Sequence, residues 1–154
     1  MKRIVPVLEF VVFAFVVGYL SRLLQGAAME VWYPALDKSP LTPPGYVFSF
    51  VWGVLYLLMG ISAGLIWTMH TLYSWLLTIL FVIQLSLNLA WSFVFFRMQS
   101  PVAGIVVLVL LLVCEAFYII GCHKLNRVAA FLNVPYMIWL LFALYLNSYV
   151  AVYN

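Results

Sequence analysis

The chain has 154 residues, of which 68% are hydrophobic and 7% are charged, and its formal net charge is +3. Soluble domains carry about 25% charged residues, so this composition excludes a soluble globular protein. The seven basic residues are scattered along the chain, which excludes a surface for nucleic acid. The histidines, cysteines and acids show no metal-ligand spacing, and no hydrolytic triad can be assembled, so we predict no metal site and no resident cofactor.

Five apolar segments follow one another along the chain. They cover about residues 4–24, 46–69, 72–96, 102–122 and 128–153. At 1.5 Å per residue, each is long enough for the roughly 30 Å apolar core of a bilayer. The sequence therefore predicts an all-α membrane protein, with a single domain formed by a bundle of five transmembrane helices.

The first apolar segment allows two interpretations. Lys2 and Arg3 precede it, and small residues at 26–28 follow it, as in a secretory signal peptide. The apolar stretch of residues 4–24 is long for such a signal. We therefore expect it to remain in the protein as the first helix.

With five spans, the two ends of the chain lie on opposite sides of the membrane. The basic residues divide almost evenly between those sides. Four lie on the N-terminal side and three on the other: Lys2, Arg3, Lys124 and Arg127 against Arg22, Lys38 and Arg97. The positive-inside rule favours a cytoplasmic N-terminus.

The longest connection covers residues 25–45 and contains Trp32 and Tyr33 as well as several prolines. A long loop with its own aromatic and apolar residues is expected to pack as a lid on the bundle. The other connections are short, which predicts antiparallel neighbouring helices.

Aromatic and polar side chains recur at helical spacing in the second, third and fifth segments. Residues three or four positions apart share one face of a helix. The three stripes are Ser49, Trp52, Tyr56 and Gly60; Gln84, Asn88, Trp91 and Phe95; and Tyr136, Trp139, Ala143 and Asn147. Facing one another, they would line a pocket for a large, planar, apolar ligand. The same stripes would also serve ordinary helix packing, and spacing alone leaves both alternatives open.

Glu115 is the only acid within the fourth segment. A carboxylate inside a span is costly unless it is paired, protonated or reached by water. Glu115 therefore forms either a polar wall of a cavity that contacts ligand, or a protonated or snorkelling acid without such a role.

Small residues four positions apart occur on two of the predicted helices. Gly60 and Gly64 form a GxxxG pattern, and Ser86 and Ala90 form a similar pair. Both pairs allow close helix contact, either within one chain or between two copies.

Four segments match the motifs of a known family, in the same order. They are WYPALDKSPLTPP at 32–44, VWGVLYLLMG at 51–60, LNLAWSFVFF at 87–96 and VPYMIWLLFALYLN at 134–147. In these segments the chain resembles the translocator protein family, also called tryptophan-rich sensory protein (TspO) or peripheral-type benzodiazepine receptor.

The resemblance implies a sensor-like, ligand-binding protein of five helices, often a homodimer, with a pocket under the first loop. Members bind porphyrins such as protoporphyrin IX, haem, and synthetic benzodiazepine-site ligands. Carried over by motif, the ligand-binding residues are Tyr33, Pro43, Trp52, Tyr56, Asn88, Trp91, Trp139 and Ala143. The argument from the fourth segment adds Glu115 as a further candidate.

Two alternative functions accompany the resemblance. A light- and oxygen-dependent breakdown of porphyrin has been attributed to some members, and here it would make Trp52 and Trp139 catalytic. Movement of porphyrin or another small molecule across the bilayer is the third alternative.

The chain departs from the family pattern at several positions. Leu41 replaces a tryptophan in the loop, and Phe93 replaces a common proline. No lysine or arginine follows Tyr145, so the proposed cholesterol pattern is incomplete. The sequence therefore argues against cholesterol binding, and it favours a bacterial cell membrane over a mitochondrial one.

Overall fold

The computed structural model describes residues 4–154, and every regular element in that range is helical. Five long helices form the molecule, and a short one lies in the first loop. The helices are α1 (Ile4–Gln25), α2 (Trp32–Ala35), α3 (Gly45–Trp67), α4 (Leu72–Ser92), α5 (Pro101–Leu125) and α6 (Arg127–Tyr153). All five long helices are long and apolar enough to cross a membrane. The predicted all-α transmembrane bundle is confirmed.

Local side chains explain where the later helices begin. Thr71 and Ser74 form a reciprocal capping box at the start of α4, with both hydrogen bonds at 3.0 Å. Pro101 occupies the first turn of α5, where its missing N–H has no intrahelical partner to lose. Asn126 accepts a hydrogen bond from the backbone N–H of Ala129 and caps α6. These caps keep the connections short, so successive helices run antiparallel.

The five long helices form a closed ring in the order α1, α3, α6, α5, α4 and back to α1. The core between them is mostly aliphatic and aromatic, with Met59, Phe81, Leu111 and Leu140 fully buried. Because α1 packs mainly on α3 and α4, most of its surface faces outward, as expected for a helix in contact with lipid.

Gly60 and Gly64 bring α1 and α3 together. A Cβ atom built on Gly60 would lie 2.5 Å from the Cα of Val11, and one built on Gly64 would overlap Val7. No side chain fits between these two backbones. The GxxxG pattern therefore packs two helices of one chain, and this face is closed to a second copy.

The end of the bundle near the first loop is built differently. A π-helical turn, Phe93–Arg97, follows α4 and presents Phe95 and Phe96 to the loop. The rings of Trp32 and Tyr33 pack on these two phenylalanines, at centroid distances of 5.5 and 5.6 Å. The loop therefore lies on the bundle through its own aromatic residues.

Candidate functional site

A cleft lies between the first loop and the ends of α3, α4 and α6. Its lining residues are Tyr33, Thr42, Phe48, Trp91, Phe95, Phe96, Ala143, Leu146, Asn147 and Val150. The free volume is about 30 Å³, which is room for about two water molecules. The lining side chains, four of them aromatic rings of tryptophan or phenylalanine, therefore leave little free space in the cleft.

The polar groups of the cleft are held in place by hydrogen bonds between helices. The indole N–H of Trp91 donates to Asn147 Oδ1 at 3.0 Å, and Asn147 Nδ2 donates to the backbone carbonyl of Pro101 at 2.6 Å. These bonds join α4, α5 and α6 beside the cleft. Burial raises the pKa of Tyr33, so its hydroxyl stays neutral and remains a hydrogen-bond donor.

An aromatic wall adjoins the cleft. It consists of Trp52, Tyr56 and Trp139. Trp52 stacks on Tyr56 with ring centroids 5.3 Å apart, and its ring meets Trp139 edge to face at 6.5 Å. Phe48 lines the cleft and also contacts Trp52 and Trp139, at 6.2 and 5.5 Å. Phe48 is therefore the ring that separates the cleft from the aromatic wall.

Asn88 is buried behind this wall. Its Oδ1 accepts a hydrogen bond from the Tyr56 hydroxyl at 2.9 Å, and its Nδ2 donates to the Tyr136 hydroxyl at 3.3 Å. The amide therefore ties α3, α4 and α6 together. The amide keeps a second lone pair and a second N–H, but Asn88 is only 3% exposed, so a ligand reaches it only when neighbouring side chains move.

The indole N–H of Trp139 is a buried donor for which residues 4–154 supply no acceptor. Phe48, Trp52 and Phe142 surround the ring, so its neighbours are largely apolar. A buried donor without a partner costs about 1–3 kcal/mol. Such a group is a natural place for an acceptor atom of a bound molecule.

The structure divides the candidate site residues among four places. Those on the cleft are Tyr33, Trp91 and Ala143, and those on or behind the aromatic wall are Trp52, Tyr56, Asn88 and Trp139. Pro43 is half-buried in the loop, next to the lining residue Thr42. Glu115 lies elsewhere, between α4 and α5, where its carboxyl group meets the Gln84 amide.

Several cleft residues were missing from the candidates. Asn147 stood on a predicted stripe but was not named as a ligand contact. Phe48 lies four residues before Trp52, which places it one helical turn away on the same face. Phe95 lies on the predicted stripe of the third segment, whereas Phe96 lies on no such stripe. Both lie in the π-helical turn at the end of α4, which no simple sequence pattern reveals.

Hydrogen bonds hold the loop on the bundle. The Ser39 and Tyr145 hydroxyls lie 2.9 Å apart. The side chain of Asn154 accepts from the backbone N–H of Asp37 at 2.9 Å and donates to its carbonyl at 3.1 Å. Lys38 donates to the carbonyls of Tyr33 and Pro34, and its ammonium lies 4.9 Å from the centre of the Tyr33 ring. We call the contacts of Ser39 and Asp37 with α6 and Asn154 the loop latch.

Sequence comparisons place this architecture beside known proteins. The sequence pattern of the TspO/MBR family matches residues 10–153. The "Tryptophan-rich protein TspO" of Chlorobaculum tepidum is 35% identical over 135 residues, covering 85% of this chain and 84% of that protein. Its namesake in Archaeoglobus fulgidus is 30% identical, with 90% of each chain covered. The human "Translocator protein" is 32% identical, over 82% of this chain and 76% of the human one.

Proposed function

The chain belongs to the TspO/MBR family of membrane proteins, and we propose that it binds a planar tetrapyrrole, such as protoporphyrin IX or haem, beneath the first loop. The observation that carries the proposal is the continuity of the cleft with the aromatic wall. Phe48 lines the cleft and also contacts both tryptophans of the wall. Rotation of this one side chain would join the two into a single flat-walled space.

The chemistry of this space suits such a ligand. Aromatic rings from the loop, α3, α4 and α6 offer flat faces for a conjugated macrocycle. The unpaired indole N–H of Trp139 can donate to a carboxylate or carbonyl oxygen of the ligand. Lys38 places a positive charge beside Tyr33, where an anionic side group of the ligand can reach it. Benzodiazepine-site compounds share the flat apolar ring and the carbonyl acceptor.

The volume of the cleft sets a condition on binding. A tetrapyrrole is far larger than the free 30 Å³, so the loop must lift and Phe48 must turn before a ligand can enter. Lifting the loop breaks the loop latch. We therefore expect slow, gated association rather than entry into an open pocket.

Titration with protoporphyrin IX in darkness tests the proposal. Saturable binding with an unchanged ligand spectrum is the expected result. Trp139→Phe keeps the aromatic area but removes the indole donor, so it should weaken binding about 5- to 10-fold, corresponding to one hydrogen bond of about 1 kcal/mol or slightly more. Trp75→Phe is the matched control, because Trp75 is exposed at the far end of α4. Equal weakening by both variants would refute a site at Trp139.

One observation favours a second candidate function, photo-oxidative breakdown of the bound porphyrin. Trp52 stacks on Tyr56 and touches Trp139, so oxidisable rings are in contact along one side of the site. The same titration under light and oxygen separates the two functions. Loss of the porphyrin absorption band that slows in Trp52→Phe, with dark binding retained, supports the enzyme. Counterflow of porphyrin in sealed vesicles would instead support transport.

We also propose that the N-terminus faces the cytoplasm of a bacterial cell. Lys124 and Arg127 lie at the connection on the N-terminal side, whereas Arg22, Lys38 and Arg97 lie at the loop end. Lys2 and Arg3 lie outside the described residues. The proposed orientation therefore rests on the positive-inside rule applied to the sequence. Labelling of Ser100→Cys and His123→Cys in intact cells with an impermeant thiol reagent tests it. The proposal predicts preferential labelling at position 100. Preferential labelling at position 123 would show that the N-terminus faces outward.

A further inference from the structure

The interior of the bundle contains an acid that the proposed ligand site does not use. Glu115 on α5 and Gln84 on α4 both have 0% of their surface exposed. The amide Nε2 of Gln84 is hydrogen-bonded to Glu115 Oε2. The other two oxygens, Glu115 Oε1 and Gln84 Oε1, are buried and have no partner among residues 4–154. Two acceptors aimed into an apolar interior indicate a missing donor or positive charge.

No basic side chain in the described part of the chain supplies that charge. Every lysine, arginine and histidine from Arg22 to Arg127 is exposed or half-exposed, whereas Glu115 is completely enclosed. The titratable groups that interact with Glu115 are Cys114, Tyr118 and Cys122 on its own helix and Tyr136 on α6. Gln84 is the group that faces it from α4, and an amide does not titrate. Tyrosine, cysteine and amide side chains carry no positive charge in any protonation state they adopt, so none of these neighbours is a counter-ion.

We propose that Glu115 and Gln84 form a proton-binding site inside the bundle, separate from the ligand site. The carboxylate binds one solvated proton, which the acid form of the bulk buffer replaces in solution, and becomes a carboxylic acid, so the buried charge is removed without a metal cation. The acid then has an O–H donor of its own. The oxygen and nitrogen positions of a side-chain amide are assigned from their hydrogen-bond partners, so the Gln84 amide can also be placed with its oxygen facing Glu115. In that orientation the Gln84 oxygen accepts the hydrogen bond from the protonated Glu115.

The surroundings favour a proton over a metal ion as the occupant. A bound metal cation needs several oxygen ligands, and this site offers only the oxygens of one carboxyl and one amide. No cluster of three or more histidine, cysteine or acidic side chains occurs in residues 4–154. A proton requires no cavity, whereas a hydrated ion does. The complete enclosure of both side chains also predicts that the proton exchanges with water only when α4 and α5 separate.

Infrared spectroscopy of the purified protein at pH 7 tests the proposal. The wild type should show the carbonyl stretching band of a protonated carboxyl group, and this band should shift slowly in D₂O. Glu115→Gln should abolish the band, while Glu30→Gln should leave it, because Glu30 is exposed in the first loop. Gln84→Leu should keep the band but move it to higher frequency, because the hydrogen-bond partner is lost. If Glu115→Gln folds poorly, the frequency shift in Gln84→Leu still assigns the band to Glu115.

Three outcomes would overturn the proposal. The first is a folded wild type without a protonated-carboxyl band. The second is a band that survives Glu115→Gln. The third is a band that appears only when Na⁺ and K⁺ are replaced by choline, since a metal cation would then be the normal occupant. None of these outcomes depends on porphyrin binding, so the proton site and the proposed function succeed or fail separately.

Discussion

The two ends of this bundle are packed according to different rules. At the loop end, aromatic rings surround a small cleft, a buried indole N–H has no partner, and a loop is held down by a few hydrogen bonds. At the opposite end, glycines on α3 touch the backbone of α1. There the Ser62 hydroxyl donates to the carbonyl of Ala129 and accepts from the amide of Asn133, at 2.9 and 2.6 Å. The comparison indicates that one end is built to open and the other to hold the helices together.

The largest expected effect is at the closed end. Gly60→Leu would force a side chain into the backbone of α1, and overpacking of this kind costs about 3 kcal/mol or more of unfolding free energy. Gly53→Leu is the control on the same helix, because a Cβ there meets nothing within 4 Å. Unfolding in mixed micelles measures both. Equal stability of the two variants would show that the glycine contact does not hold α1 in place.

Asn88→Leu should have the next largest effect. It leaves the hydroxyls of Tyr56 and Tyr136 buried without their partner, at a cost of about 1–3 kcal/mol. Adding Tyr56→Phe and Tyr136→Phe should recover much of the stability, because no orphaned polar group then remains. If Asn88→Leu changes neither the melting temperature nor porphyrin affinity, the amide has no role at the boundary between the two ends.

A smaller effect should follow from weakening the loop latch. Tyr145→Phe removes the contact with Ser39, so protoporphyrin IX should associate and dissociate about 3- to 10-fold faster while its Kd changes little, as expected when one hydrogen bond of the latch is removed. Tyr149→Phe is the control, since its ring stacks on Tyr153 at 4.3 Å. Stopped-flow fluorescence measures both rates. Unchanged rates in Tyr145→Phe would mean that the loop does not gate the cleft.

The substitution with the smallest expected effect on the two ends of the bundle tests whether two copies of the chain form a dimer. We propose a homodimer through the outer face of α4, where Ser86 is exposed and Ala90 is half-exposed. The Ser86 hydroxyl donates a hydrogen bond to the carbonyl of Val82 in its own helix. The side chains there are small and the Ser86 donor is already paired, so a second helix can approach closely. Ser86→Leu combined with Ala90→Leu should yield monomers in detergent by light scattering, with the fold intact. Persistent dimers would move the interface to another helix, though not to Gly60 and Gly64.

The sequence predicted the helices of the bundle better than the contacts at the loop end. Long apolar segments determine the helices, since a bilayer permits no other spanning structure for them. Helical spacing also placed Trp52, Asn88 and Trp139 together, because all three point inward from neighbouring helices. The chain therefore carries local signals for its helices and for the direction of most site residues.

Other features depend on contacts between distant parts of the chain. Ser39 meets Tyr145 across 106 residues, and Asp37 meets Asn154 across 117. Nothing in the local pattern of the loop predicts these partners. The position of Glu115 also depends on distant contacts. From the sequence, Glu115 could either line a cavity or be an acid that contacts no ligand. Its contact with Gln84 depends on how α4 and α5 are turned against each other.

The central claim is that a planar ring compound binds at the loop end, in the space shared by the cleft and the aromatic wall. Dark titration of protoporphyrin IX against Ala143→Phe tests it most directly, because Ala143 lines the cleft and a ring there would fill it. Val152→Phe, exposed near the end of the same helix, is the control. The expected result is a loss of affinity of about tenfold or more, or at least 1.4 kcal/mol, in Ala143→Phe alone. Wild-type affinity in both variants would contradict the claim.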